Sequence, residues 1–177
     1  FINQFGFDAP SCGRHMPDDM EFLDIRKATD VEFGLSVYEP FGIAQLEPLT
    51  FGGICVVSNV CGCAGFLRDV TGGREVRNVI LADYTRLDGR PYADLEDLLQ
   101  IDGKVREQIE IQESVRIAQE ILRRLPTSDA ESESLIGEGY RLARSMSWEV
   151  VVRQYLLNDL ARIVPPPPQV RTYLKAS

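Results

Sequence analysis

Two carboxylates, Glu39 and Glu47, flank a turn with the makings of a phosphate seat. They lie in the stretch Leu35–Val60, LSVYEPFGIAQLEPLTFGGICVVSNV. Its pattern reads as a buried strand ending at Val37, a loop carrying Glu39, and a helix entered through Pro40, Phe41 and Gly42, with Glu47 on the second turn. Ligands of open α/β sheets bind beyond the carboxyl ends of the strands. The N–H groups of Gly42, Ile43 and Ala44 would point there, at the positive end of a helix dipole, where a phosphate sits well. Glycine at position 42 lets the backbone approach a ligand closely. A carboxylate cannot hold phosphate, but it accepts hydrogen bonds from hydroxyls and can grip a vicinal diol with two oxygens. Glu39 and Glu47 are spaced to hold hydroxyls on either side of a diphosphate, a sugar at one end and a ribose at the other. A plainer reading makes Glu39 a first-turn acid and Glu47 a solvent-facing helix residue, with Pro48 shortening or kinking the helix.

Other reactive residues are few. The four cysteines, Cys12, Cys55, Cys61 and Cys63, lack the paired spacing of zinc modules, and Cys61-Gly62-Cys63 alone is too tight for one. Free thiols of a reducing compartment are expected. The one histidine, His15, stands in a polar stretch beside Arg14, so a histidine-based metal site is excluded and a Ser/His/Asp or Cys/His group would depend on it.

The elements that must position this segment follow from periodicity. Phe1–Phe7 alternates like a strand, and Pro10 to Pro17 reads as loop. Pro17-Asp18-Asp19 opens a helix to about Ala28, lined on one side by Met20, Leu23 and the stem of Lys27. Val31–Val37 is a buried strand, Ile43–Phe51 a short helix, and Ile54–Val57 a continuous apolar run suited to a central parallel strand. Ser58 to Asn78 reads as a long Gly/Cys-rich loop before a strand at Val79–Ala82. This order predicts an α/β fold, a Rossmann-like parallel sheet of doubly wound type with flanking helices. The rest is helix-rich: Asp94–Ile101, then Lys104–Leu125 with Ile111, Val115, Ala118, Leu122 and Leu125 as its apolar stripe. A capping box of Ser128 and Glu131 starts a helix to about Arg144. Ser147 starts a last one, striped by Trp148, Val152, Tyr155, Leu156, Leu160 and Ile163 and stopped at Pro165–Pro168. The acidic run Glu107–Glu120 reads as a solvated face.

The chain has 177 residues, 44% of them apolar, enough for one domain with its own core. No apolar run approaches the roughly 20 residues that span a bilayer. A net charge of −8 leaves no field to gather nucleic acid, though a local basic spot could still hold a small phosphate. No basic-then-apolar leader is present and the chain opens on Phe1, so the expectation is a cytoplasmic protein, trimmed or part of a longer one. Residues 1–164 form the expected domain, incomplete at its N-terminus, and 165–177 a Pro-rich tail.

The words SVYEPFGIAQLEPL and FGGICVVSNV resemble the Glu-x7-Glu region of retaining GT-B glycosyltransferases, the glycogen- and starch-synthase-like and group 1 type. A small residue and an aromatic precede the first Glu, as do Ser36 and Tyr38; Pro40-Phe41-Gly42 matches the core, and Leu46-Glu47 the second Glu. A small-residue turn and apolar strand then lead to a Ser, as in Gly52-Gly53 and Val56-Val57-Ser58. Ser147-Trp148-Glu149 with Val151, Tyr155 and Leu156 resembles the family's terminal helix. The likeness is close over residues 30–60 and loose over 79–163. It implies the C-terminal, nucleotide-sugar-binding domain of a transferase that keeps the anomeric configuration and needs no metal or other cofactor. Glu39 is then the catalytic residue, contacting donor-sugar hydroxyls; the Phe41, Gly42 and Ile43 backbone meets the sugar or its distal phosphate, and Glu47 holds the ribose. The acceptor is a glycan or small molecule, and an N-terminal GT-B domain is the implied partner. The sequence departs from the family where Cys61-Gly62-Cys63-Ala64-Gly65-Phe66 replaces Gly-Gly-x-x-Glu. Arg14, Arg26 and Lys27 match no motif for the family's cationic pair. Two alternatives are a stand-alone, non-catalytic module binding a nucleotide or a partner, and a sugar-nucleotide epimerase relative, for which no acid/base carboxylates stand out.

Overall fold

The structure is a computed structural model that describes residues 17, 19–36, 39–91 and 94–163. The expected strand Phe1–Phe7, the stretch holding Cys12, Arg14 and His15, the strand end at Val37, Tyr38 and the Pro165–Pro168 stop lie outside these residues.

Three strands, β1 (Val31–Gly34), β2 (Ile54–Ser58) and β3 (Val79–Ala82), form a parallel sheet in that order. The apolar run of β2 is buried along its whole length, as a central strand requires. Its side chains alternate between two cores. Cys55 and Val57 pack with Leu46, Leu49, Cys63, Leu67 and Leu142; Ile54 and Val56 pack with Ile80, Ala82, Ile117 and Leu135. Both faces of the sheet are therefore covered, as in α/β proteins. Strand β1 is shorter than the expected Val31–Val37 and only half buried, with Phe33 58% exposed. Among the described residues it has a strand neighbour on one side alone, so its second edge is open.

Helix α1 (Phe22–Lys27) starts later than the expected Pro17, because the Asp24 carboxylate accepts from the Glu21 N–H and fixes the helix start there. Its buried residue is Arg26; Leu23 and Lys27 are exposed, contrary to the expected stripe. Ala44–Phe51 is a 3-10 helix, close to the expected Ile43–Phe51, and it accommodates Pro48. The largest correction concerns Ser58 to Asn78. That stretch contains helix α2 (Gly62–Thr71), which buries Cys63, Ala64, Leu67 and Thr71 against the sheet. Low-propensity Gly62 and Gly65 hid the helix; packing of one face supplies what propensity lacks. An unexpected hairpin of β4 (Arg86–Leu87) and β5 (Arg90–Pro91) follows, turned by Asp88 and Gly89, both at positive φ. Helix α3 (Leu95–Leu99) matches its expected place, capped by Asp94.

Helix α4 (Gly103–Arg124) has the expected span but the opposite inner face. Ile111, Val115 and Leu122 are each more than half exposed, and the buried positions are Ile109, Glu113, Ile117 and Arg124. The reason lies in β3. Cys55 N–H donates to the Asn78 carbonyl and Asn59 N–H to that of Ala82, so the ladder uses alternate residues and leaves Val79 and Leu81 facing outward. Arg124 donates to the Val76 and Val79 carbonyls, Arg116 to the Leu81 carbonyl, and the Asp83 N–H donates to Glu113. Charged side chains of α4 thus stand in for a fourth strand and close this edge. Glu113 is only 8% exposed, so the run Glu107–Glu120 is not a purely solvated face.

Helix α5 (Asp129–Ser145) begins as expected with Ser128 accepting from the Glu131 N–H, while the Glu131 carboxylate reaches the Thr127 N–H instead of closing a box on Ser128. Its buried Leu135 and Leu142 reach one core each, and Asn78 ties it in by donating to the Gly52, Gly53 and Leu135 carbonyls. The last helix consists of α6 (Trp148–Val151), a π-helical turn Val152–Leu156, and α7 (Leu157–Ile163). None of its residues is buried, and Ser147 makes no side-chain cap bond. The stripe read as core is exposed, with Trp148 at 81%. No helix among the described residues is long and apolar enough to cross a membrane.

Candidate functional site

The chain leaves β1 at its carboxyl end and re-enters the fold through Glu39–Ile43, before the 3-10 helix. This loop rests on the start of α2. Gly62 N–H donates to the Glu39 carbonyl (3.1 Å) and Cys63 N–H to the Phe41 carbonyl (2.8 Å), which also accepts from the Cys61 thiol (3.0 Å). The first amides of α2 are therefore spent on holding the loop. The approach is close: a Cβ on Gly62 would overlap the Pro40 carbonyl. Gly42 adopts φ +87°, and a Cβ there would overlap Gln45. The Gln45 amide oxygen is buried and accepts from Cys61 (3.3 Å) and Cys63 (3.7 Å).

The residues picked out by sequence fall as follows. The N–H groups of Gly42, Ile43 and Ala44 find no hydrogen-bond acceptor among the described residues. They open the 3-10 helix, whose own bonding starts with Leu46 N–H donating to the Ile43 carbonyl. The Glu39 side chain, in the same loop, is half-buried and has no hydrogen bond or ion pair among the described residues. Phe41 and Ile43 project outward, both exposed. The Phe41 ring lies 5.8 Å from Phe66 of α2, and Phe66 lies 6.2 Å from Tyr155, all tilted. This row of rings supports the loop from the last helix. Glu47 is ion-paired: its Oε2 is 3.1 Å from Arg26 Nε, and Arg26 Nη1 is 2.8 Å from Glu32 Oε2. Its side chain stays 43% exposed, so the ion pair leaves part of the carboxylate open to solvent. Arg26 is set between the two carboxylates.

Three cysteines, Cys55, Cys61 and Cys63, are free and buried, with the Cys61 and Cys63 sulfurs 3.0 Å apart. Burial pushes the Cys55 thiol up to about 12, with the Glu32 charge adding to it, and burial likewise raises Cys63. Neither is a nucleophile at neutral pH. No cluster of three or more His, Cys, Asp or Glu able to hold a metal is present among the described residues.

Sequence reasoning missed a mainly apolar cavity of about 350 Å³ beyond the strand ends, lined by Leu35 after β1, Val60 after β2, and Tyr84 after β3. Burial raises the Tyr84 phenol, and the Glu110 and Glu113 charges push it the same way. The signal was faint: one apolar residue follows each strand, closed over by Leu98 of α3 and by Ile109 of α4, whose inner face was misread. No model of a known protein family matches the chain, and no curated protein matches it.

Proposed function

We propose that the chain is the donor-binding part of a retaining glycosyltransferase of GT-B type, binding a nucleotide-diphosphate sugar for transfer to an acceptor hydroxyl. The observation that supports this most is one loop after β1 that carries, without partners among the described residues, both the amides of Gly42, Ile43 and Ala44 and the carboxylate of Glu39. Amides at a helix start attract phosphate oxygens and repel nothing in a diphosphate. A carboxylate beside them repels phosphate and attracts hydroxyls, so a ligand carrying both satisfies both. Glu39 accepts hydrogen bonds from the donor sugar and stabilises positive charge at the anomeric carbon. The amides stabilise the departing diphosphate, and Glu47, oriented by Arg26, holds the ribose. The half-GT-B architecture belongs to this reading. Among the described residues the sheet is three-stranded and parallel, with a strand beside β1 on one side alone. A second domain would supply the acceptor side.

The test is transfer by the complete enzyme carrying Glu39→Gln or Glu47→Ala. Glu39→Gln is expected to abolish transfer with donor binding kept, and Glu47→Ala to weaken donor binding. Unchanged transfer with Glu39→Gln overturns the reading. A second reading, a non-catalytic module that binds a nucleotide or a partner, draws support from the exposed apolar stripe of the last helix. It predicts nucleotide binding with no transfer in any complete form of the protein.

A further inference from the structure

We propose that the groove along the outer edge of β3, between α2 and α4, binds a small phosphate ester with a hydroxylated body, its phosphate held by Arg68, Arg116 and the Leu81 N–H. Two cavities, of about 270 and 510 Å³, lie along this edge and share Arg68, Leu81 and Arg116 in their walls. The outward polar groups of β3 are nearly all taken. Val79 N–H donates to the Val76 carbonyl, Arg124 and Arg116 cover the Val79 and Leu81 carbonyls, and the Asp83 N–H meets Glu113. The Leu81 N–H is the exception, with no acceptor among the described residues. A half-buried strand-edge donor needs an acceptor.

The two cavities are lined by Arg68, Arg74, Arg86, Arg116 and Arg124 against Glu75, Asp83 and Glu113; Arg116 spends Nε and Nη2 on Glu113 and keeps Nη1 for a ligand. Most arginines of this acidic chain are ion-paired, yet the Arg68 guanidinium has no hydrogen bond or ion pair among the described residues. Arg74, on the same groove, spends only Nε, on the Thr71 carbonyl. Arg68 also suits the helix dipole in the last turn of α2, but that role requires neither a cavity nor an unmet amide. Fork-shaped guanidinium donors and a backbone N–H match the oxygens of a phosphate. The larger cavity adds Asn59, Asp83 and Gln112. Burial works against ionisation of Asp83, but hydrogen bonds from the Thr85 hydroxyl and N–H, helped by Arg86, outweigh it and hold the carboxyl below its ordinary range. Asn59 is spent on Asp83 and Thr85, but Asp83 Oδ2, paired with Arg86 alone, and the Gln112 amide, bonded only to Asp88, keep capacity to accept from and donate to hydroxyls, and the body of the ester belongs there.

The experiment is an amide and arginine-side-chain NMR titration of the full chain with glycerol 2-phosphate, inorganic phosphate and glycerol at fixed ionic strength. The expected result is saturable shifts at Leu81 N–H and Arg68 Nε, stronger with glycerol 2-phosphate than with phosphate and absent with glycerol. Arg68→Ala is expected to weaken binding by about tenfold or more, Arg68→Lys by less, and the exposed Arg153→Ala not at all. Arg68 is exposed, so its variants keep the fold, which their unchanged spectra would verify. No saturable shift at Leu81, or equal affinity in Arg68→Ala, overturns the proposal. Shifts confined to Gly42, Ile43 and Ala44 would overturn it while leaving the donor seat standing.

Discussion

Gly42 and Gly62 set the geometry of the candidate seat, and each is intolerant of a side chain for a different reason. Gly42→Ala puts a Cβ at φ +87° and against Gln45. It should cost about 1–3 kcal/mol, read by urea denaturation, because a left-handed conformation strains any residue with a Cβ. Gly62→Ala meets backbone at Pro40, which cannot rotate away as a side chain can, so it should displace the Glu39–Phe41 loop and weaken ligand binding even where the fold survives. The thiols give a second residue-scale prediction. With Cys55 pushed up to about 12 and Cys63 raised as well, both should resist alkylation by iodoacetamide at pH 8 in the native state and react on unfolding. Rapid native labelling of Cys55 would contradict its burial. At this scale the sequence was informative. Glu39, Gly42 and Ile43 could be singled out because their neighbours fix a strand-turn-helix context. The Arg26–Glu47 ion pair was illegible, since nothing in spacing says that residues so far apart in the chain meet.

Among the elements, α4 carries the least expected role. Its apolar pattern pointed to Ile111, Val115 and Leu122, yet the helix turns Glu113, Arg116 and Arg124 to the sheet because β3 exposes unpaired peptide groups there. Periodicity reads hydrophobic demand and cannot read the hydrogen-bond demand of a distant strand edge, which is why this face was missed. The same blindness hid α2, whose Gly/Cys-rich sequence is helical through packing. Arg124→Ala leaves the Val79 carbonyl without a donor and the Val76 carbonyl with the Val79 N–H alone, and should cost about 1–3 kcal/mol, measured by urea denaturation. A loss within 0.5 kcal/mol would show that water satisfies this edge equally well. The same helix gives a pH effect. Hydrogen bonds from Arg123, then from Arg124, hold Glu120 at about 2, below its ordinary value. A carboxylate with a depressed folded pKa contributes stability that is fully present above its unfolded value near 4.5 and lost as pH falls toward 2. Glu120→Gln should therefore flatten the acid limb of the stability profile between those values, by a small amount because the pair is partly exposed.

For the molecule as a whole, both faces of the sheet are covered, while among the described residues β1 has a strand on one side alone and the last helix keeps an apolar stripe facing solvent. Trp148 is the one tryptophan of the chain and is 81% exposed, so its fluorescence reports on that stripe. At low concentration its emission should match that of a water-exposed indole and be quenched by iodide. A blue shift that grows with concentration would show a second copy covering the stripe; a buried spectrum at every concentration would contradict the exposed helix. The α/β class, the parallel order of the strands and the helix-rich end were legible from alternation and strand–helix order. The exposure of the last helix was not, because an amphipathic pattern announces a face to be covered without saying what covers it. The central claim, that the Glu39–Ala44 turn seats a nucleotide-diphosphate sugar, is tested most directly by an amide NMR titration of the full chain with a panel of such donors. The account predicts saturable shifts at Gly42, Ile43 and Ala44 with at least one of them, weakened by about tenfold in Glu47→Ala through loss of hydroxyl hydrogen bonds. Silent amides at those three positions across the whole panel would contradict it.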